Sequence, residues 1–190
     1  MNTTRGSLLL RLRDPGNSQA WGEFMSIYQP LLTRYSRSRG LGAADAEDVA
    51  QHCLTVITQK IQDFEYDPRY GRFRAWLRKM VDNRIVDLLR RRHERCADSS
   101  DFRRPQQRER SPDEVWGQIW LEEHLRHCMR VVKAQVAPKT FEAFFRTAIN
   151  EQPVETVCAE LGMTANQLYV ARSRVTRRLQ DIMRELIDDK

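Results

Sequence analysis

Long apolar runs, paired cysteines and strand-like alternation are all missing from this chain of 190 residues. No run approaches the roughly 20 apolar residues needed to cross a bilayer, so no membrane association is expected. The leucine triplet in "MNTTRGSLLLRLRD" is too short for a signal-peptide core. The chain is therefore expected in the cytoplasm, where thiols are kept reduced. Cys53, Cys96, Cys128 and Cys158 form no C-x-x-C pair. Two groupings, His93 with Cys96 and His124 with His127 and Cys128, lack the two tight ligand pairs of a zinc site, so no metal is expected. Without Asn-Gly or Asp-Gly turns or period-two alternation, hairpins have no support. No Ser-His-Asp spacing, phosphate-binding glycine loop or carboxylate pair marks an active site, so neither enzymatic activity nor a cofactor is expected.

What remains is charge and helical periodicity. Lys and Arg number 32 against 26 Asp and Glu, a net charge of +6, which suits an acidic partner such as nucleic acid. Hydrophobic residues at 41% suffice for a core. The pattern predicts an all-α chain in two small helical domains, 1–92 and 111–190, joined by a basic linker over 93–110. That linker, "HERCADSSDFRRPQQRER", is polar, holds Pro105 and has no apolar stripe.

In the first domain, Trp21, Phe24, Tyr28, Leu31, Leu32 and Tyr35 fall on one helical stripe, with Pro30 inside it and Gly40 at a natural stop. The stretch "DAEDVAQ" opens a second helix, its first-turn carboxylates facing the positive end of the dipole. A third, "GRFRAWLRKMVDNRIVDLLRRR", places Phe73, Trp76, Leu77, Met80, Val81, Ile85 and Leu88 on one side. Arg72, Lys79, Asn83 and Arg90 lie on another. A cationic line suits a phosphate backbone, and the Asn83 amide suits a base edge. Phe64, Tyr66, Tyr70 and Phe73 are candidates to stack on unpaired bases. Trp76 reads as packing, and Arg84 falls inside the apolar arc without an evident partner.

The second domain starts at Ser111, Pro112, Asp113 and Glu114, an N-cap with a capping-box partner. Its stripe is read as Trp116, Ile119, Leu121, Leu125, Cys128, Met129 and Val132. A short helix with Phe141, Phe144 and Phe145 follows. The stretch from Gln152 to Leu179 then reads as helix, turn at Gly162, and helix. Val154, Val157, Cys158 and Leu161 face inward, and Thr164 with Gln167 forms a second capping box. The last helix buries Leu168, Ala171, Val175, Leu179, Ile182 and Leu186. Its other face presents Asn166, Gln167, Tyr169, Arg172, Ser173, Thr176 and Arg177, groups able to meet phosphates and base edges in a major groove.

Taken together, "YQPLLTRYSRSRGLGAADAEDVAQ", "GRFRAWLRKMVDNRIVDLLRRR" and "LGMTANQLYVARSRVTRRL" resemble, in order and spacing, the extracytoplasmic-function group of bacterial RNA polymerase sigma factors. The resemblance spans about Leu8 to Leu186. It implies a region 2-like bundle over 1–92 and a region 4-like helix-turn-helix over 111–190. It implies docking on the clamp and flap of core RNA polymerase, with Asp45, Glu47, Asp48 and Gln51 at the clamp. It assigns the −10 promoter element to Phe64, Tyr66, Tyr70, Phe73, Lys79, Asn83, Arg90, Arg91 and Arg92. It assigns the −35 element to Thr164, Asn166, Gln167, Tyr169, Arg172, Ser173, Thr176 and Arg177. Promoter DNA is the implied ligand, and an anti-sigma factor is a candidate partner. Many relatives carry Thr-Val-Lys-Ser-Arg where this chain has Gln167 to Ala171, so promoter preference does not carry over. A stand-alone helix-turn-helix regulator is the alternative reading.

Overall fold

The structure, a computed structural model, describes residues 5–62, 73–95 and 111–187, all helix, turn or connecting segment. Phe64, Tyr66, Tyr70, Arg72, Cys96 and most of the expected linker lie outside the described residues. The chain divides into two compact units, one ending at Glu123 and the other beginning at His124.

In the first unit, α1 (Arg5–Leu12), α2 (Ser18–Ser38), α3 (Ala43–Lys60) and α4 (Phe73–Arg95) pack around an aromatic centre. The stripe of α2 folds as the periodicity predicts at Phe24, Tyr28, Leu31, Leu32 and Tyr35, all buried together with Ile27, while Trp21 is only half-buried. Asn17 caps α2 by accepting the Ala20 amide at 3.0 Å, satisfying one of the free N–H groups at the helix start. Pro30 sits within α2 on its exposed side, and Gly40 ends the following turn at φ 98°. α3 buries Ala46, Val49, Ala50, Cys53, Leu54 and Ile57. Burial pushes the Cys53 thiol up to about 12, so it stays a neutral core group. α1, which the leucine triplet did not announce as a helix, buries Leu8, Leu9 and Leu12 and leaves Leu10 exposed.

α4 supplies Phe73, Leu77, Val81 and Ile85 to this core. Phe73 meets Tyr28 edge-on with centroids 5.4 Å apart and Phe24 at 6.0 Å. It has no exposed surface, and burying such a side chain is worth roughly 1.5–3 kcal/mol. Phe73 is therefore core, not a base-stacking residue as expected from its place beside the loop. Trp76 is half-buried against Phe73 at 5.7 Å.

α5 (Pro112–Gln135) opens with the expected reciprocal cap. The Glu114 amide donates to Ser111 Oγ at 3.2 Å, and the Ser111 amide donates to Glu114 Oε2 at 2.9 Å. The division between the units falls inside this helix, not at the expected boundary of 111. Its first half joins the first unit: Trp116 lies 4.8 Å from Tyr35 and Trp120 lies 5.7 Å from Tyr28. The buried face also differs from the expected stripe. Trp120, Glu123, His124 and His127 are buried, while Leu121 and Leu125 are 53% and 43% exposed. The cause is electrostatic as well as apolar, because Arg34 pairs with Glu123 at 3.1 Å and makes burial of that carboxylate tolerable.

The second unit continues through α6 (Pro138–Phe144), a π turn (Phe145–Ile149), α7 (Val154–Leu161) and α8 (Ala165–Ile187). Ala143, Val157, Leu168 and Ala171 form its tight centre, sealed by Val154, Cys158, Leu161 and Met163. Val175, Leu179 and Leu186 extend the buried stripe of α8, while Ile182 is partly exposed. Gly162 turns the chain between α7 and α8 at φ 57°, a conformation that Cβ-bearing residues adopt only at a cost. Gly162→Ala will lower stability by about 1 kcal/mol although an added Cβ meets open space, a loss readable as a lower midpoint in thermal denaturation.

Candidate nucleic-acid and docking surfaces

The start of α3 presents carboxylates because its inward residues, Ala46, Val49 and Ala50, leave Glu47, Asp48 and Gln51 on the solvent side. Asp45 is half-buried. Two of these acids have intrachain partners on α4: Arg84 reaches Asp48 at 3.4 Å and Arg92 reaches Asp45 at 3.3 Å. Asp48 thus resolves how Arg84 sits inside the apolar arc of α4. Arg90 pairs with Asp87 at 3.3 Å, and Arg90, Arg91 and Arg92 are all exposed.

On the opposite edge of α4, helical spacing groups two lines of side chains. Lys79 and Asn83, four residues apart, are both exposed and line one open groove with Arg74, Arg78, Asp82, Asp113 and Trp116. The groove encloses about 600 Å³, room for several planar rings. The Tyr35 hydroxyl donates to Asp82 Oδ1 at 2.8 Å. Burial and that hydrogen bond push the phenol up to about 12, so it remains a donor at every physiological pH. Arg78 meets Asp82 at 3.4 Å and forms an ion pair with Asp113. Sequence reading singled out Lys79 and Asn83 but not Arg74 and Arg78. The i, i+4 series Arg74, Arg78, Asp82 was the available signal.

On α8 the structure brings together Tyr169, Arg172, Ser173, Thr176 and Arg177, with Gln180, along a shallow groove of about 470 Å³. Thr164, Asn166 and Gln167 stand exposed at the helix start. Thr164 and Gln167 cap it reciprocally: the Gln167 amide donates to Thr164 Oγ1 at 3.2 Å, and the Thr164 amide to Gln167 Oε1 at 2.9 Å. Only the side-chain NH₂ of Gln167 is left by this cap for a base. A second basic line missed in the sequence, Arg174 and Arg178 with Arg177, borders a groove with Gln135 and Val136. Among the described residues no three His, Cys, Asp or Glu side chains converge as a metal site, and no helix is long and apolar enough to cross a membrane.

Residues 24–95, from within α2 to the end of α4, match the sigma-70 region 2 family. Over 80 residues the chain is 32% identical to the RNA polymerase sigma factor CnrH of Cupriavidus metallidurans, an alignment covering 42% of this chain and 40% of that relative. The chain thus spans well under two thirds of the curated relative that it matches. The sigma factor RpoE from Bartonella quintana, solved in complex with the anti-sigma factor NepR, aligns over 88% of this chain and 98% of that chain, at 18% identity and a TM-score of 0.35. Within the first unit, the similarity to sigma-70 region 2 thus covers residues 24–95.

Proposed function

We propose that this chain is an alternative sigma factor, which binds core RNA polymerase and directs promoter-specific initiation, with catalysis left to the polymerase. Asp45, Glu47, Asp48 and Gln51 at the start of α3 dock on the clamp. Lys79 and Asn83, with Arg90, Arg91 and Arg92, meet the −10 element, and Phe64, Tyr66 and Tyr70 stack on its unpaired bases. The exposed face of α8 from Thr164 to Arg177 reads the −35 element. An anti-sigma factor is a fitting regulator, and the site of action is the cytoplasm. The observation that carries the reading is the exposed pair Lys79 and Asn83 on one edge of α4, inside the segment matched to region 2. A cation beside an amide combines a phosphate anchor with a base-edge reader.

The deciding experiment is transcription reconstituted with core polymerase on a library of promoters. Initiation from a defined subset is expected, and none from any promoter would overturn the proposal. Within that assay Asn83→Ala should cost roughly 1–3 kcal/mol at one position of the −10 element. Arg172→Ala should act on the −35 element alone. Uniform weakening on every sequence would reduce both residues to backbone contacts.

A further inference from the structure

The groove holding Lys79 and Asn83 is not bounded by region 2 helices alone. Its far wall is the start of α5, which contributes Asp113 and Trp116. Three kinds of contact bind this segment to α2 and α4. Asp113 pairs with Arg78, Glu122 and Glu123 pair with Arg34, and Trp116 and Trp120 cover Tyr35 and Tyr28. Arg74 stacks over the Trp120 ring at 5.5 Å. α5 comes in close enough there that a Cβ on Gly117 would lie 3.2 Å from Arg74 Nη2. All of the acid–base contacts place a carboxylate of α5 on a guanidinium of the first unit.

We infer that the first half of α5 is an intrachain latch on the α4 groove, with Asp113 holding Arg78 where a DNA phosphate would otherwise sit. α5 and a single-stranded DNA segment compete for the same edge of α4. The inference rests on the reading of Lys79 and Asn83 as DNA contacts and adds a regulation of that site. Opposite charges on α4 and α5 explain why the segment docks, and the same charges make DNA an alternative occupant. The docked form is also imperfect. Trp116 Nε1 is buried without a hydrogen-bond acceptor, so release relieves a buried donor while it exposes the tryptophan rings. Asp113 itself is largely exposed, with 73% of its side-chain surface open, and it lies at the helix end, where peeling can begin.

The test uses the full chain and a fluorescein-labelled single-stranded oligonucleotide, without polymerase. Gly117→Leu wedges α5 from Arg74 with no change of charge, and leucine is a better helix former than glycine, so the helix itself persists. Asp113→Asn removes the carboxylate that occupies Arg78. Each variant is expected to bind the oligonucleotide about tenfold more tightly than the parent chain. The gain should vanish when Lys79→Ala and Asn83→Ala are added. Glu142→Gln, on the exposed side of α6, makes the same charge change as Asp113→Asn and should leave affinity unchanged. Unchanged affinity in both Gly117→Leu and Asp113→Asn overturns the latch, as does a gain that Glu142→Gln reproduces in full. Core-dependent transcription by the parent chain is measured alongside. Its absence overturns the sigma-factor reading itself, whereas its presence with unchanged oligonucleotide affinities overturns the latch alone.

Discussion

Trp120→Ala will destabilise the first unit by about 3–5 kcal/mol, the largest stability loss expected of any single substitution described above. Trp120 is 1% exposed, with Tyr28 at 5.7 Å, Trp116 at 5.7 Å and the Arg74 guanidinium over its face. Truncation removes two ring contacts and one cation–π contact, and it leaves a cavity between helices too large for a neighbouring side chain to fill without moving α5. Leu121, the next residue, is the internal comparison. It is 53% exposed, so Leu121→Ala should cost no more than about 0.5 kcal/mol. Urea denaturation followed by far-ultraviolet circular dichroism reads both. Equal losses for the two variants would mean that α5 does not turn Trp120 into this core.

A second large effect follows from His127, which is 7% exposed. Burial, aided by the charge of Arg130, lowers its imidazole from 6.5 to about 4. The unfolded chain therefore binds a proton between pH 6.5 and 4 that the folded chain refuses, and stability falls as pH falls through that window. Below about 4 both states are protonated and the dependence ends. The full loss amounts to about 3 kcal/mol. His127→Gln should remove that slope while carboxylates elsewhere titrate as before, so the difference between the two pH–stability curves isolates the ring. Parallel curves from pH 7 to 4 would show that the imidazole stays solvated.

Both effects sit where the sequence was hardest to read. Apart from α1, helix positions, the two capping boxes and the Gly162 turn were legible because each depends on residues within four positions of one another. The buried sides of α2, α3 and α8 were equally legible, since their apolar residues repeat without interruption. α5 was misread because its buried face carries Glu123, His124 and His127, and periodicity counts a buried polar residue as surface. Their burial depends on partners far along the chain, such as Arg34, 89 residues from Glu123. The same distance hid the site: Lys79 and Asn83 announced a polar edge on α4, but nothing local connected that edge to Asp113. Phe73 erred in the other direction. An aromatic beside a loop reads as available, and only the convergence of Phe24 and Tyr28 shows that it is not.

The ion pairs between α3 and α4 change how the proposed docking surface should be weighed. Asp45 and Asp48 look like two unspent negative charges when counted in the sequence, yet Arg92 and Arg84 already stand on them. A basic partner arriving there performs an exchange, one guanidinium for another, and gains little net Coulomb energy from it. Docking there, as proposed, should accordingly depend on ionic strength less steeply than a tally of carboxylates suggests. Each arginine set loose by the exchange becomes a spare cation, turned outward from the helix that carries Lys79 and Asn83.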